Sequence, residues 1–147
     1  MEDDGDVYLT DVVMTDEGME ETEPAVAAML DADEVHEATV ESNNGGRGFA
    51  RNIERLLKEK HGNKRCVVKW VAQIQNKEAR ILTSSAWVSR HVFMPHNWKY
   101  KYPEFYRQLT SYQKKGKNKH DDAPDVLAAI YERVANPQKT EFRVRSA

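Results

Sequence analysis

The chain has 147 residues, 39% hydrophobic and 31% charged, which fits one globular domain rather than two. The single cysteine, Cys66, excludes a disulfide framework and argues against a zinc site of paired cysteines, so we expect a reducing compartment. No apolar run has the length of a membrane span, and the acidic start lacks the charge pattern of a secretory signal. The sequence therefore predicts a soluble intracellular protein.

The formal net charge of -2 conceals an asymmetry along the chain. Residues 1–44 contain fifteen Asp or Glu and no Lys or Arg, so residues 45–147 hold all 22 basic residues and the other nine of the 24 acids. In a folded domain such an excess suggests a basic face that can bind phosphate. The alternative is that the charges pair with one another or stay solvated, and charge alone favours neither interpretation.

Strands and helices are predicted to alternate in the first half of the chain. Residues 7–14 are rich in β-branched side chains and predict a strand. Thr22 as N-cap with Pro24 in the first turn predicts a helix. Residues 37–41 then predict a short strand and residues 49–60 a long helix, which gives a strand-loop-helix unit.

The alternation continues in the second half. Residues 66–71 predict a strand, 77–87 a helix, 92–95 a short extended piece and 102–112 another helix. This pattern predicts an α/β layer fold, in which functional groups gather at the carboxyl ends of strands.

The last predicted helix has an acidic start. Asp122 is a suitable N-cap, Pro124 lies in the first turn, and Asp125 is at the third helical position. An apolar stripe at helical spacing is expected to anchor this helix in a core; it consists of Val126, Leu127, Ile130 and Val134. The acids at the helix start would then have fixed positions.

The acids Asp121, Asp122 and Asp125 admit two interpretations. They could simply cap the helix and interact favourably with its dipole. Capping needs one acid or two, however, and clustered carboxylates are the ligands that a hard divalent cation such as Mg²⁺ prefers. His120 beside them could orient a carboxylate, contact phosphate or stay solvated.

Glu41 ends a predicted strand and is followed by a loop that contains Gly45 and Gly46. A glutamate in this place is often only a turn boundary. The glycines allow a close backbone approach, and Arg47 and Arg51 follow them, so a phosphate-binding loop is a rival interpretation. The Gly-Lys-Ser/Thr ending of a nucleotide P-loop is absent, so we do not expect a nucleotide.

A basic loop precedes the acidic cluster. Such a loop beside a metal site would track backbone phosphates without reading sequence. Its lysines are Lys114, Lys115, Lys117 and Lys119.

Four blocks of the sequence, in this order, resemble the nuclease domain of tailed-phage terminase large subunits. They are Val7–Pro24, Val40–Arg51, Asn76–Val88 and His120–Leu127. The resemblance covers nearly the whole chain, and the first, second and fourth blocks are the most specific. It implies a ribonuclease H-like α/β fold with a mixed central sheet flanked by helices, formed as a single domain by residues 1–147.

The resemblance also implies a function. The family cuts concatemeric double-stranded DNA during viral genome packaging, using two divalent cations held by acidic residues. We therefore expect a metal-dependent DNA endonuclease that acts in the host cytoplasm, with portal and small terminase proteins as packaging partners. No membrane partner is expected.

Site roles carry over residue by residue. Glu41 matches the family's second acid, at the end of a central strand, and Asp121, Asp122 and Asp125 match its last acidic motif. These four residues are the expected ligands of a Mg²⁺ or Mn²⁺ pair about 3.5 to 4 Å apart, with Glu41, Asp122 and Asp125 as the catalytic acids. DNA contacts are expected from the basic side chains, namely Arg47, Arg51, Lys114, Lys115, Lys117, Lys119 and His120.

One departure from the family concerns the start of the chain. The family's first strand carries an essential aspartate and precedes the strand expected at residues 7–14, whereas this sequence begins in the turn between them. We therefore expect an N-terminally truncated domain without the ATPase domain. Asp11 is a poor substitute for that aspartate, and we interpret it as a strand-edge charge. The alternative function is a catalytically inactive DNA-binding or packaging-assembly remnant.

Overall fold

The computed structural model describes residues 5–42, 45–73, 75–112 and 122–135, together with the backbone of residues 142–144. Strands and helices alternate along much of these ranges. In chain order the elements are β1 (Val7–Tyr8), α1 (Met19–Ala32), β2 (Glu37–Glu41), α2 (Gly46–His61), β3 (Val67–Val71), α3 (Lys77–His91), β4 (Val92–Phe93), α4 (Trp98–Lys101), α5 (Pro103–Ser111), α6 (Asp122–Val134) and β5 (Phe142–Val144).

The chain divides into two compact units. The first, which we call the sheet unit, consists of Thr15–Gln73 and Thr140–Ala147 and contains α1, β2, α2, β3 and β5. The second, which we call the helical unit, consists of Met1–Met14 and Ile74–Lys139 and contains the other elements. Within the described ranges, no helix combines the length and the apolar character needed to cross a membrane.

A β-α-β motif forms the sheet unit. β2 and β3 run parallel, with Glu41 opposite Val71, so both strands end at the same edge. β5 pairs antiparallel with the other side of β3, which makes the sheet mixed, as predicted. Among the described strands of this sheet, however, β2 lies at the edge, whereas the resemblance predicts Glu41 on a central strand. β1 pairs with β4 in a separate two-stranded parallel sheet.

Hydrophobic burial orients α2. Its side chains Ala50, Ile53 and Leu57 recur every three or four residues and are buried together with Ala27 and Leu30 of α1. Burying one such leucine contributes roughly 1.5–3 kcal/mol. The apolar face of α2 is therefore fixed on the interior, and its basic residues are left on the outside.

Asn63 connects the end of α2 to the start of β3. Its buried side chain accepts hydrogen bonds from the backbone N–H groups of Arg65 and Cys66, at 2.9 and 3.1 Å, and donates one to Asp31 at 3.0 Å. Its own N–H donates to the carbonyl oxygen of Leu57 at 2.8 Å. One side-chain amide thus pairs two backbone N–H groups of the turn and one carboxylate.

The helical unit is built around an apolar cluster of its own. Phe105 of α5 and Ala123 and Leu127 of α6 are buried in this cluster. Leu9 and Met14, from the segment that follows β1, pack against it. α3 lies along α6 and contributes buried side chains of its own, so the start of α6 is held by its neighbours rather than free in solvent.

The apolar stripe of α6 differs from the predicted one. Val126 and Val134 are 54% and 41% exposed, so these two predicted anchors are wrong, whereas Leu127 is confirmed. The buried face includes Ala123 and Ala128 instead. Small side chains let neighbouring helices approach closely, and a search for large apolar residues overlooks them.

The strand predicted at residues 7–14 is much shorter in the structure, where β1 covers only Val7–Tyr8. Beyond it the carboxylate of Asp11 accepts a hydrogen bond from the N–H of Val12 at 2.9 Å and another from the Tyr102 hydroxyl at 2.8 Å. A local side-chain bond to the backbone competes with strand pairing. The β-branched composition therefore overestimated this strand.

α1 begins at Met19, one turn before the predicted start. Gly18 is the N-cap, and its carbonyl oxygen accepts hydrogen bonds from the N–H groups of Glu21 and Thr22, both at 3.0 Å. The Thr22 hydroxyl donates to the same carbonyl rather than capping the helix, so the predicted N-cap is wrong. Pro24 lies inside the helix on its exposed side, where the lost hydrogen bond can be replaced by water.

The other predicted elements are confirmed with shifted ends. β2 has the predicted bounds, β3 and α5 agree to within one residue at each end, and α2 and α3 are longer than predicted. The short helix α4 was not predicted. The α/β character of the fold is therefore confirmed.

Burial should make the thiol of Cys66 unreactive. Burial raises its pKa, so at any pH below that value less thiolate is present than in an exposed cysteine. We expect iodoacetamide to label the native chain at least about tenfold more slowly than the urea-unfolded chain at pH 8. The exposed thiol of a Ser85→Cys variant provides the control and should react at the unfolded rate. Equal rates for Cys66 in both states would contradict its burial.

Candidate functional site

Glu41 is half-buried at the carboxyl end of β2, where the N–H of Ser42 donates to the carbonyl oxygen of Val71 at 2.8 Å. Gly45 then takes a left-handed conformation with φ of 88°, which glycine adopts without strain. A Cβ atom on Gly46 would overlap the carbonyl oxygen of Glu41. The first turn of α2 is thus packed directly on the backbone of Glu41, which fixes that residue at the strand end.

This contact explains the second glycine of the loop. Gly46 lets the first turn of α2 approach the backbone of Glu41 closely. This contact explains a glycine at position 46 without a bound phosphate. Asn43 and Asn44 lie outside the described residues.

Arg47 and Arg51 are both exposed on the first two turns of α2. The same side of the helix carries Arg55 and Lys58, at steps of four and three residues, so a basic side chain recurs on every turn. Arg55 Nη1 lies 3.1 Å from Glu59 Oε2, which neutralises part of this charge. The sequence interpretation stopped at Arg51, although the i, i+4 spacing could have identified the other two.

Two carboxylates at the start of α6 face one ammonium group. Lys77 Nζ lies 3.7 Å from Asp122 Oδ1 and 3.7 Å from Asp125 Oδ2. The side chain of Asp122 is 74% exposed and that of Asp125 only 15%, so the pair is open to solvent from one side. The sequence predicted Asp122 as the N-cap and Asp125 as the third helical residue. In the structure Asp122 is the first residue of α6 and Asp125 the fourth.

Arg80 holds the inner carboxylate from behind. Its side chain is only 3% exposed, and its Nη1 donates to Asp125 Oδ1 at 2.9 Å. Its Nε donates to Glu132 Oε1, two turns further along α6, at 2.6 Å. Arginine stays charged under all ordinary conditions, so its burial requires these acids. The side chain of Asp125 is therefore oriented by α3.

A buried glutamine completes the start of α6. Gln108 of α5 accepts a hydrogen bond from the N–H of Ala123 at 3.0 Å and donates to Glu104 at 3.1 Å. The first N–H groups of a helix have no partner within it, so this bond supplies one that the helix lacks. Neither Gln108 nor Arg80 was identified from the sequence, because each acts on residues distant along the chain.

Several predicted site residues lie outside the described residues. They are Lys114, Lys115, Lys117, Lys119, His120 and Asp121. Of the four predicted metal ligands, Glu41 belongs to the sheet unit, and Asp122 and Asp125 belong to the helical unit. Among the described side chains, no group of three or more His, Cys, Asp or Glu is arranged to hold a metal ion.

The α6 carboxylates nevertheless fit a divalent cation by the chemistry of their donors. Both offer oxygen atoms, which Mg²⁺ and Mn²⁺ prefer, and both face the point that the Lys77 ammonium occupies. A position that attracts one cation between two carboxylates is suitable for another. Asp11, by contrast, is bonded to Tyr102 and to the backbone of Val12 and has a structural role.

The parallel β-α-β motif of the sheet unit defines the protein's class as an α/β domain. The family model described as Terminase Bacteriophage T7, Ribonuclease H-like domain matches residues 2–91. This is more than half of the chain, which therefore belongs to that family, as the sequence blocks predicted. A search of curated proteins and a search of solved structures gave no significant match.

The matched segment includes Glu41, the basic start of α2, and both Lys77 and Arg80, but it ends before α6. Membership indicates a nuclease domain from phage DNA packaging. Asp122 and Asp125 lie outside the matched segment.

Removing the buried guanidinium should strongly destabilise the chain. An Arg80→Met variant leaves Asp125 and Glu132 half-buried beside an apolar side chain, and breaking such a pair costs about 3–5 kcal/mol. The measurement is the free energy of unfolding in urea. Arg55→Ala, which breaks an exposed pair, is the control and should change it by less than about 0.5 kcal/mol. Equal effects of the two variants would show that Arg80 is not structurally important.

Proposed function

We propose that the chain is a metal-dependent endonuclease that cleaves double-stranded DNA during phage genome packaging, with residues 1–147 acting as one nuclease domain. The observation that carries this proposal is the pair Asp122 and Asp125, whose carboxylates face a common cation position in a chain of the terminase family. Clustered carboxylates of this kind are common ligands in phosphoryl-transfer enzymes.

The proposed ligands are Glu41, Asp121, Asp122 and Asp125. Bound Mg²⁺ or Mn²⁺ would supply an activated water and a counter-charge for the leaving oxygen. Arg80 keeps the inner carboxylate of Asp125 in one orientation, and the contact between Gly46 and the strand end keeps Glu41 in place. These supports reduce the conformational freedom that metal binding would otherwise have to remove.

Basic side chains would hold the DNA. Arg47 and Arg51 are exposed on successive turns of α2 and can contact phosphates without reading base sequence. Further phosphate contacts are proposed for the basic residues of the segment before α6, namely Lys114, Lys115, Lys117, Lys119 and His120. The site of action would be the host cytoplasm, where portal and small terminase proteins would be the partners in packaging.

Plasmid cleavage with Mn²⁺ or Mg²⁺ tests the proposed reaction. Glu41→Gln and Asp122→Asn each remove a ligand charge with little change of shape, so each should lower the cleavage rate by about 100-fold. EDTA should abolish cleavage. Glu17→Gln and Asp16→Asn alter exposed acids elsewhere and are the matched controls, with rates equal to that of the unaltered chain.

Two outcomes would contradict the proposal. Cleavage that persists in EDTA, or in both ligand variants, would show that these acids do not carry the reaction. DNA binding by the unaltered chain without any metal-dependent cleavage would favour the alternative, a catalytically inactive DNA-binding or packaging-assembly module.

DNA binding should depend on the exposed arginines of α2. Arg51→Ala should weaken binding equally for unrelated duplexes and reduce the slope of log K against log salt by about 1, because one phosphate contact is lost. Fluorescence anisotropy over a range of salt concentrations measures both quantities. Arg107→Ala is the control, since this exposed arginine already pairs with Glu104. A sequence-dependent loss, or an unchanged slope, would exclude the proposed phosphate contact.

A further inference from the structure

Lys77 stands at a place that its own helix does not favour. It is the first residue of α3, and the preceding Asn76 caps that helix by accepting a hydrogen bond from the N–H of Ala79 at 3.0 Å. The N-terminus of a helix carries a partial positive charge, which disfavours a lysine there. The ammonium group instead meets the opposite charges of Asp122 and Asp125, at 3.7 Å from each. The position of the Lys77 ammonium is therefore favoured by the carboxylates of α6, whereas the dipole of α3 disfavours it.

The lysine can also leave this position. Its side chain is 44% exposed, and an ammonium group on a flexible four-carbon stem loses little on moving into water. Arg80, which contacts the other oxygen of Asp125, is buried and cannot move in the same way. Among the described side chains, the carboxylate pair is thus contacted by the fixed guanidinium of Arg80 and by the movable ammonium of Lys77.

A divalent ion at the carboxylate pair would compete with the movable cation. Like charges a few ångströms apart repel one another, so a metal ion bound at Asp122 and Asp125 and the ammonium at its present position exclude each other. In the absence of metal, the same ammonium lowers the repulsion between the two carboxylates.

We propose that Lys77 is a tethered counter-ion that occupies the cation position of the α6 carboxylates until a divalent metal displaces it. This inference rests on the proposed function, because it takes Asp122 and Asp125 as metal ligands. Lys77 then raises the metal concentration at which the site fills, and it offsets the mutual repulsion of the two carboxylates while no metal is bound.

Metal binding without DNA tests this role. The full chain is freed of metal with EDTA, transferred to EDTA-free buffer and titrated with Mn²⁺, and the free ion is followed by electron paramagnetic resonance. Lys77→Gln should bind Mn²⁺ about 30-fold more tightly than the unaltered chain, the factor expected for removing a unit charge about 4 Å from a divalent ion in water. Lys101→Gln removes an exposed lysine elsewhere in the helical unit and should leave the affinity unchanged. Lys77→Arg keeps the charge and should not tighten binding.

The salt dependence gives a second readout. The gain in affinity of Lys77→Gln should shrink as ionic strength rises, because the competition is electrostatic. Circular dichroism checks that each variant is folded, which is expected at so exposed a position. An affinity of Lys77→Gln that is equal to or weaker than that of the unaltered chain would overturn the role of Lys77.

Two further variants separate this inference from the proposed function. Asp122→Asn and Asp125→Asn should each weaken Mn²⁺ binding at least about tenfold if both acids are ligands. If neither weakens it, the metal site itself is wrong and the inference fails with it. If both weaken it and Lys77→Gln does not tighten it, only the role of Lys77 is excluded.

Discussion

The burial of one guanidinium group is the constraint on which the helical unit depends. Arg80 cannot lose its charge, so the chain must supply acids wherever it is buried. It finds them in Asp125 and Glu132, seven residues apart and therefore on one side of α6. A shift of α6 by one residue would turn both acids away from the guanidinium. The two contacts therefore favour one register of α6 on α3, and that register decides where the Asp125 carboxylate lies.

The sequence predicted those elements that have a regular apolar period. β2 and α2 were recognised because their hydrophobic residues follow the strand or helix spacing, and β3 because it is rich in β-branched and aromatic residues. Failures occurred where local hydrogen bonds differ from the expected pattern. The Asp11 carboxylate accepts a hydrogen bond from the N–H of Val12 inside the segment predicted as a strand, and the carbonyl of Gly18 rather than the side chain of Thr22 caps the start of α1. The core prediction for α6 omitted its buried alanines, because the burial of a small residue depends on the neighbouring helix and is not visible in the local sequence.

The candidate site was predictable in part for the same reason. Its acids stand at the ends of elements, so a strand end and a helix start identified Glu41, Asp122 and Asp125 as positions held by the fold. The residues that support them could not be identified in this way. Lys77 and Arg80 act on carboxylates about 45 residues later in the chain, and only the packing of α3 on α6 shows the relation. The positions of the carboxylates are thus predictable from sequence, whereas the basic side chains that neutralise them are identified only by the tertiary structure.

The three glycines between the end of β2 and the first turn of α2 have a consequence for sequence variation within the family. Three glycines occur within four positions, yet each meets a different local requirement. Gly45 needs a left-handed backbone, Gly46 needs the absence of a side chain against the Glu41 carbonyl, and Gly48 has nothing near it. In a library of variants, residue 48 should therefore accept most amino acids, residue 45 mainly asparagine or aspartate, and residue 46 none. A loop that looks uniformly permissive would prove to contain one invariant position, set by contact with a strand and not by any ligand.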